Sequence, residues 1–273
     1  MSWTDTRSKI PKSEKFCYVD FAARYQPGFR NHVVHVDEIP DLINRYHALE
    51  CYTTYFLFKK DLLDYLKERG SVSGFDGQAF AYFLPLDIDA PKLEQALESV
   101  KRIVLFLIED WEVSSEAIQC WFSGRKGFHI LINVGVFGDV RPSKKLHYIF
   151  SRIREMISKD AKVKLDLSIK DKMRLLRLPN TMHQKSGLYK IPLSIHEVRG
   201  LSAAKILKCA REPRPLINID GSGLLPQIEI PEGIKASRIF RKAHSLTREQ
   251  RRKVVIDTSL RDETLKPVPY IWI

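Results

Sequence analysis

The sequence predicts a mixed α/β fold, of the α+β kind, in which helices alternate with short strands along the chain. Hydrophobic residues recur about every 3.6 residues in several segments, which indicates amphipathic helices. Between them lie short runs rich in aromatic and β-preferring residues, bounded by Gly, Pro or polar residues, which indicate strands. The 273-residue chain is 44% hydrophobic and 10% aromatic, which is enough to bury a core and excludes a mainly disordered protein.

Each element follows from its own local pattern. Helical periodicity predicts helices over residues 37–49, 54–69, 91–111, 143–159, 201–211 and 235–253. Strand composition predicts strands over residues 78–89, 117–122, 128–134, 163–167 and 193–198. Glycine-containing segments predict turns at 70–77, 123–127 and 185–187, and a Pro- and Gly-richer segment predicts a connector over 213–231.

Several classes of protein are excluded by simple features. The N-terminal MSWTDTRSKIPKSEK is polar, unlike a signal peptide, and the longest apolar runs are far shorter than the roughly 20 residues of a membrane helix. The four cysteines are far apart and form no CxxC pair, so neither a zinc site nor a disulfide scaffold is expected. We therefore expect a reduced, soluble, intracellular protein of the cytoplasm with no membrane partner.

The charge of the chain is large and unevenly placed. Lys and Arg number 45 against 33 Asp and Glu, a net charge of +12. Residues 141–190 carry a net charge of +10 and residues 235–253 one of +7, so the rest of the chain is net acidic. Such a directed field predicts a polyanionic partner, with a solvated basic face as the alternative.

Two carboxylates stand one residue apart in an apolar predicted strand: Asp87 and Asp89, with Ile88 between them. Side chains alternate along a strand, so the carboxylates share one face while Ile88 faces the core. Adjacent anions repel each other unless a cation neutralises them, and oxygen ligands suit Mg²⁺ or Mn²⁺. The pair predicts a divalent-metal site, and the alternative is a cap on the helix that starts at residue 91.

A third carboxylate, Asp166, lies in the segment KLDLS within the most basic part of the chain. If it converged on the first two, it would complete a three-carboxylate, two-metal site for phosphoryl transfer. Asp171 is the rival third ligand. A structural ion pair is the favoured role for Asp171 because basic residues surround it: Lys170, Lys172, Arg174 and Arg177.

Two further segments carry residue types that bind phosphate. In WFSGRKGFHILINV, two glycines permit a tight turn whose backbone N–H groups can hold phosphate oxygens, and the candidate side chains are Ser123, Arg125, Lys126 and His129. In RLLRLPNTMHQKSGLYKIPL, the candidates that suit a triphosphate are Arg174, Arg177, His183 and Lys185. The alternatives are an ordinary charged hairpin tip and a general surface loop.

Taken in this order, the segments resemble the archaeo-eukaryotic primase superfamily, the primase-polymerases. Three motifs carry the resemblance: a hydrophobic strand with DxD, here LDIDA; an SGxxGxH hairpin, here SGRKGFH; and a hydrophobic residue followed by aspartate, here LD. The next stretch reads close to RLIRLPxSLHGKTGL in archaeal small primase subunits, and here it is RLLRLPNTMHQKSGL. The Cys/His zinc module of replicative subunits is not visible, which favours a compact primase-polymerase, such as those on mobile elements or beside CRISPR genes.

The resemblance implies both a fold and an activity. It implies a two-module core, in which an antiparallel sheet like that of an RNA-recognition motif carries part of the active site. We expect this core over 1–215 and, from the basic helical pattern, an extension over 216–273. It implies DNA-templated nucleotidyl transfer that synthesises and extends primers. The residues implied as ligands of Mg²⁺ or Mn²⁺ are Asp87, Asp89 and Asp166. Those implied to hold the triphosphate are Ser123, Arg125, His129, Arg177, His183 and Lys185.

The expected partners are a single-stranded DNA template, a primer strand, and NTPs or dNTPs, with a larger polypeptide or replication and CRISPR partners around them. The basic segment 235–253 predicts template contacts by Arg241, Lys242, Arg251, Arg252 and Lys253, with a solvated helix as the alternative. Two rival functions remain open: a gap-filling repair polymerase without de novo priming, and a non-catalytic nucleic-acid-binding module.

Overall fold

Antiparallel sheets and the helices packed on them build this protein, as seen in a computed structural model that describes residues 15–24, 29–167 and 171–262, with side chains as far as residue 248. The strands are β1 (Tyr18–Ala23), β2 (His32–His35), β3 (Cys51–Thr54), β4 (Phe83–Asp89), β5 (Ile118–Phe122), β6 (Gly127–Asn133), β7 (Leu175–Arg177), β8 (Met182–His183), β9 (Leu188–Tyr189) and β10 (Ile191–Leu193). The α-helices are α1 (Ile39–Tyr46), α2 (Asp61–Arg69), α3 (Leu93–Glu109), α4 (Leu146–Asp160), α5 (Ile195–Gly200), α6 (Ala203–Cys209) and α7 (Ile234–Asp262). The predicted mixed α/β class is confirmed.

The first sheet has the strand order β2-β1-β3-β7, and every pair in it is antiparallel. Its last strand, β7, comes from the RLLRLP run, more than 100 residues after β3 in the sequence. The register places Tyr52 opposite Arg177 and Thr53 opposite Leu176. This pairing carries Arg177 to the edge of a sheet whose other strands all come from the N-terminal part of the chain.

The second sheet has the strand order β10-β5-β6-β4 and is also antiparallel. Its chain order, β4-α3-β5-β6-α4, is that of a split β-α-β unit. Along β4, Leu86 and Ile88 are buried in the main core with α3 and α4, while Asp87 and Asp89 lie on the other face. The register opposes Asp87 to His129, so the alternation predicted for the DID segment places both carboxylates beside the SGRKGFH hairpin.

Three predicted elements are wrong. The predicted helix 54–69 begins only at Asp61, because Thr54 ends strand β3 and the following Leu57 and Phe58 pair in isolated bridges with Phe80 and Tyr18. Residues 163–167 form no strand, although the Asp166 N–H donates to the Asp87 carbonyl over 3.1 Å. The predicted strand 193–198 is largely helix α5, because Ser194 and Glu197 form a reciprocal capping box at its start.

Helix α7 is longer than predicted, and its N-terminal half packs on the core. Ala236 and Ala243 are fully buried, and the Phe240 ring stacks on Phe137 with 5.8 Å between centroids. Across the described residues, none of the helices combines the length and apolar character required to cross a membrane. The boundary predicted between a core over 1–215 and an extension over 216–273 stays a prediction.

Phe240→Ala is expected to lower the free energy of unfolding by about 2 kcal/mol, because it removes the ring that packs on Phe137 and leaves a cavity under α7. Thermal and denaturant unfolding would measure the change. Lys242→Ala, at an exposed position of the same helix, is the matched control and should stay within about 0.5 kcal/mol of the wild type. Equal stability of the two variants would show that α7 does not share the core.

Candidate functional site

A cleft of about 260 Å³ lies between the carboxylate face of β4 and the β7 edge of the first sheet. The residues that line it are Tyr52, Tyr55, Pro85, Asp87, Asp89, Ser123, Arg125, Lys126, His129, Arg174, Leu175, Leu176, Arg177 and His183. The structure therefore brings together residues from three of the candidate segments: the strand with Asp87 and Asp89, the SGRKGFH hairpin and the RLLRLP run with His183. Asp166 is not among the lining residues.

The carboxylates form one wall of the cleft. The Asp87 side chain is about a quarter exposed, and Asp89 is exposed at the end of β4. Burial raises the pKa of Asp87 from 3.8 to about 6, and the negative charges of Asp89 and Asp166 add to this rise. Two neighbouring carboxylates thus disfavour the ionisation of Asp87, and a bound cation would relieve this effect.

Asp166 lies beside this pair but faces a cation. Its backbone N–H donates to the Asp87 carbonyl, and its Oδ2 is 3.8 Å from Arg174 Nη2. Among the described residues, no three His, Cys, Asp or Glu side chains stand in an arrangement ready to hold a metal ion. By charge and by donor type, the three carboxylates nevertheless suit a divalent cation such as Mg²⁺ or Mn²⁺.

The rival carboxylate Asp171 lies outside the cleft lining. It is exposed, and its Oδ1 accepts a hydrogen bond of 2.9 Å from the Met173 N–H, which shapes the chain just before β7. Of the two alternatives for a third carboxylate, Asp166 is the one that acts electrostatically on Asp87.

His129 lies across the β4–β6 ladder from Asp87, with 3.7 Å between His129 Nε2 and Asp87 Oδ1. The residue is 7% exposed, and burial lowers the pKa of its imidazole well below the usual value. The positive charges of Lys190 and Arg177 lower this pKa further. At neutral pH the ring is therefore uncharged, so it can donate or accept a hydrogen bond but cannot serve as a fixed cation.

The SGRKG turn closes one end of the cleft. Gly124 has a φ of +94°, and a Cβ there would come within 3.0 Å of the Leu188 carbonyl and 3.3 Å of Arg177 Nη1, so glycine is required. Gly127 is equally constrained, because a Cβ would collide with the Asp89 carboxylate. The turn is therefore packed directly against the two walls of the cleft, and its tip leaves the side chains of Arg125 and Lys126 exposed.

Arg177 is the best-held cation of the cleft. Its Nη1 donates to the Ser123 carbonyl (3.3 Å), and its Nη2 donates to Tyr52 Oη (2.8 Å). The guanidinium also lies 5.3 Å from the centroid of the Tyr52 ring. These contacts link β7, β3 and the SGRKG turn through one side chain and fix the direction of its positive charge.

Glu50, which sequence reasoning missed, anchors this group from behind. It is 2% exposed and accepts hydrogen bonds from Arg24 Nη1 (2.7 Å), Tyr52 Oη (2.8 Å) and the Gln184 N–H (3.0 Å). Its Oε1 lies 3.6 Å from Arg177 Nη2 and 3.4 Å from His183 Nδ1. The only sequence signal for Glu50 was its position directly before a strand. Most of its partners lie far away in the chain, so no local pattern indicated them.

The environment of Glu50 keeps it ionised. Burial favours the protonated form, but the hydrogen bonds from Arg24 and Tyr52 and the charge of Arg177 outweigh it and lower the pKa of Glu50 to about 2. His183 is affected in the opposite sense. Burial and the charge of Arg177 lower the pKa of His183, and Glu50 partly offsets them.

Lys190 is a second residue that sequence reasoning missed. It is 1% exposed, its Nζ donates to the Arg177 carbonyl over 2.5 Å, and the same Nζ lies 5.3 Å from the centroid of the Trp121 ring. Burial and the charge of Arg177 lower the pKa of Lys190 to about 7, and Asp87 opposes the fall. This amine therefore supports the backbone of β7 directly behind the cleft.

Some predicted residues are placed elsewhere. Lys185 is exposed in the turn between β8 and β9, and it is not part of the cleft lining. Arg241 and Lys242 lie exposed on α7, where Arg241 Nη2 donates to Ser237 Oγ over 3.2 Å. The side chains of Arg251, Arg252 and Lys253 lie outside the described residues.

Comparison with known proteins adds little to this geometry. No protein-family model matches the chain, and no curated protein matches it. Among solved structures it is similar to the polymerase domain from Mycobacterium tuberculosis Ligase D in complex with DNA, with a TM-score of 0.40 and 16% sequence identity. The likeness covers 62% of this chain and 61% of that chain, so it spans less than two thirds of the solved domain.

Glu50→Gln is expected to remove a pH-dependent part of the stability. Because the pKa of Glu50 is depressed from 4.5 to about 2 in the folded state, its contribution is fully present above pH 4.5 and is lost as the pH falls toward 2. The wild type should exceed the variant by roughly 3 kcal/mol at pH 7, and this difference should shrink through that window. Denaturant unfolding of both proteins between pH 7 and pH 2 measures it, and a constant difference would contradict the assignment.

Proposed function

We propose that this protein is a metal-dependent nucleotidyltransferase of the polymerase type, which joins nucleotides from nucleoside triphosphates along a DNA template. One observation carries the proposal: a single cleft places the carboxylates of β4 opposite cationic and hydrogen-bonding side chains from β7 and the SGRKG turn. This division of charge matches the needs of phosphoryl transfer, in which metal ligands and phosphate-binding groups must face the same substrate.

The residues that would hold Mg²⁺ or Mn²⁺ are Asp87, Asp89 and Asp166. Two such cations, when bound, lower the pKa of an attacking 3′-hydroxyl and neutralise the charge that develops around the α-phosphate. The position of Asp87 supports this assignment, because burial, with the negative charges of Asp89 and Asp166 adding to it, raises its pKa to about 6, and a bound cation would oppose this rise.

The remaining residues of the cleft would bind and orient the triphosphate. Arg177, held by Tyr52 and Glu50, presents a fixed positive charge toward the β- and γ-phosphates. His129 is neutral and would donate a hydrogen bond to a phosphate oxygen. The rest of the proposed phosphate-binding set consists of Ser123, Arg125, Lys126, Arg174 and His183, with Lys185 at the exposed rim.

The finer proposal is a primase-polymerase, which both starts and extends a primer on single-stranded DNA. The ordered motifs LDIDA, SGRKGFH and RLLRLPNTMHQKSGL support it through their resemblance to that superfamily. Extension without initiation, as in a gap-filling polymerase, uses the same cleft. The two differ in whether a second nucleotide can be held where the primer end would lie.

The double variant Asp87→Asn, Asp89→Asn is expected to reduce nucleotide incorporation by about 1,000-fold or more. The two substitutions remove the negative charge that attracts the metal ions and keep the shape of the side chains. Incorporation of labelled nucleotide on a primed DNA template, with Mg²⁺ or Mn²⁺, measures this. The matched control is the exposed pair Glu109→Gln with Asp110→Asn at the end of α3, which should keep full activity. Undiminished synthesis by the Asp87 and Asp89 variant would overturn the metal assignment.

The same assay without a primer separates priming from extension. We expect labelled products on a single-stranded template supplied only with nucleoside triphosphates and metal, because the motifs resemble those of enzymes that start chains. Products that appear only after a primer is added would identify an extension polymerase. Binding of DNA with no product under either condition would identify a non-catalytic nucleic-acid-binding module and overturn the enzymatic proposal.

A further inference from the structure

A second cationic pocket, of about 510 Å³, lies on the other side of the segment that leads into β7. It is formed by the turn at 71–76, the first turn of α4 and residues 171–173, with Arg30 and Asn31 along one side. Four of its lining residues are basic and two are acidic: Arg30, Lys144, Lys145 and Lys172 against Asp76 and Asp171. The proposed nucleotide chemistry uses none of these residues.

Two of the four cations, Lys172 and Arg30, are held in the wall of the pocket by hydrogen bonds. Lys172 is 6% exposed, and its Nζ donates to the Gly77 carbonyl over 3.0 Å and lies 5.4 Å from the centroid of the Phe75 ring. Arg30 Nε donates to the fully buried Asp20 over 2.7 Å. Anchoring of this kind reduces the side-chain entropy that an incoming anion would otherwise have to overcome.

The other two cations face the opening. Lys144 Nζ pairs with the exposed carboxylate of Asp76 over 3.1 Å, while half-buried Lys145 forms no ion pair with any described residue. Tyr148, one turn further along α4, is 47% exposed at the rim of the same pocket. Positive charge that can bind the phosphates of a nucleic acid thus lies beside an aromatic ring that can stack on a base. This combination is typical of surfaces that bind single-stranded nucleic acid.

The pocket is joined to the cleft through one short segment. Residues 171–173 line the pocket, and the next residue, Arg174, lines the cleft. A strand that passed from one to the other would follow this segment, past the exposed carboxylate of Asp171 to the side chain of Arg174. Of the basic residues in 141–190, Lys144, Lys145 and Lys172 line the pocket, whereas Arg174 and Arg177 line the cleft.

We propose that this pocket binds the phosphodiester backbone of the single-stranded DNA that the cleft copies, with Lys145 at a phosphate and Tyr148 stacked on a base. The inference rests on the proposed polymerase function, which supplies the strand. The same phosphate chemistry could also come from a free nucleoside triphosphate, and the experiment separates these two sources.

The test measures binding of a fluorescent single-stranded oligonucleotide over a range of salt concentrations, without metal, in the variant that carries Asp87→Asn and Asp89→Asn. Adding Lys145→Ala should weaken binding several-fold and reduce the slope of log affinity against log salt by about 0.7, the value for one lost phosphate contact. Adding Tyr148→Ala should weaken binding about tenfold with an unchanged slope, because stacking releases no counterions.

Controls separate a local effect from misfolding and from loss of overall charge. Lys145→Arg should keep the affinity, and Lys205→Ala, at an exposed site on α6, should leave affinity and slope unchanged. Thermal unfolding of each variant checks the fold. If Lys145→Ala and Tyr148→Ala bind the oligonucleotide as well as their parent, the proposal is overturned. It is also overturned if they lose only the binding of a nucleoside triphosphate, measured in parallel.

The outcome is independent of catalysis. If the wild type incorporates no nucleotide but these variants still lose DNA binding, the pocket stands and the polymerase proposal fails. If the wild type does incorporate nucleotide while DNA binding of the variants equals that of their parent, the polymerase proposal stands and the pocket assignment fails.

Discussion

The buried carboxylate of Glu50 is the interaction on which the phosphate-binding side of the cleft depends. Arg177 carries its positive charge at a largely buried position, and His183 lies close by with a pKa that burial and the charge of Arg177 lower. Glu50 balances the charge of Arg177 and accepts hydrogen bonds from Arg24 and Tyr52, so one ionised group holds side chains from three parts of the chain. Because removing one partner of a buried pair leaves the others uncompensated, the arrangement is held as a unit.

The opposite wall of the cleft carries an excess of negative charge. Asp87 and Asp89 share a face of β4 because side chains alternate along a strand. The backbone hydrogen bond between Asp166 and Asp87 holds a third carboxylate near this pair. The pKa of Asp87 rises because the side chain is largely buried, and the charges of Asp89 and Asp166 add to the rise. A wall of carboxylates and a wall of cationic side chains thus face each other in a cleft of about 260 Å³. A polyphosphate with bound metal ions would place its cations at the first wall and its negative charge at the second.

Sequence reasoning succeeded where the determining interactions are local. The shared face of Asp87 and Asp89 follows from strand alternation, and the SGRKG turn follows from its glycines. It failed where long-range pairing or a missed cap decides: residues 54–60 are not helical, because Thr54 pairs with β7 and Leu57 and Phe58 pair with Phe80 and Tyr18. The capping box of Ser194 and Glu197 was readable from the sequence, since its spacing is a known helix-start signal.

The sequence by itself therefore determined the fold class, the carboxylate pair on β4 and the cationic runs that face it. Only the tertiary structure decided which charges meet. Glu50 accepts a hydrogen bond from Gln184, 134 residues away, and Lys190 is buried behind Arg177. It also placed Lys144, Lys145 and Lys172 at a second pocket and Arg174 and Arg177 at the cleft. Periodicity describes the face on which a side chain lies, whereas the partner across a cleft depends on how sheets from distant segments pack.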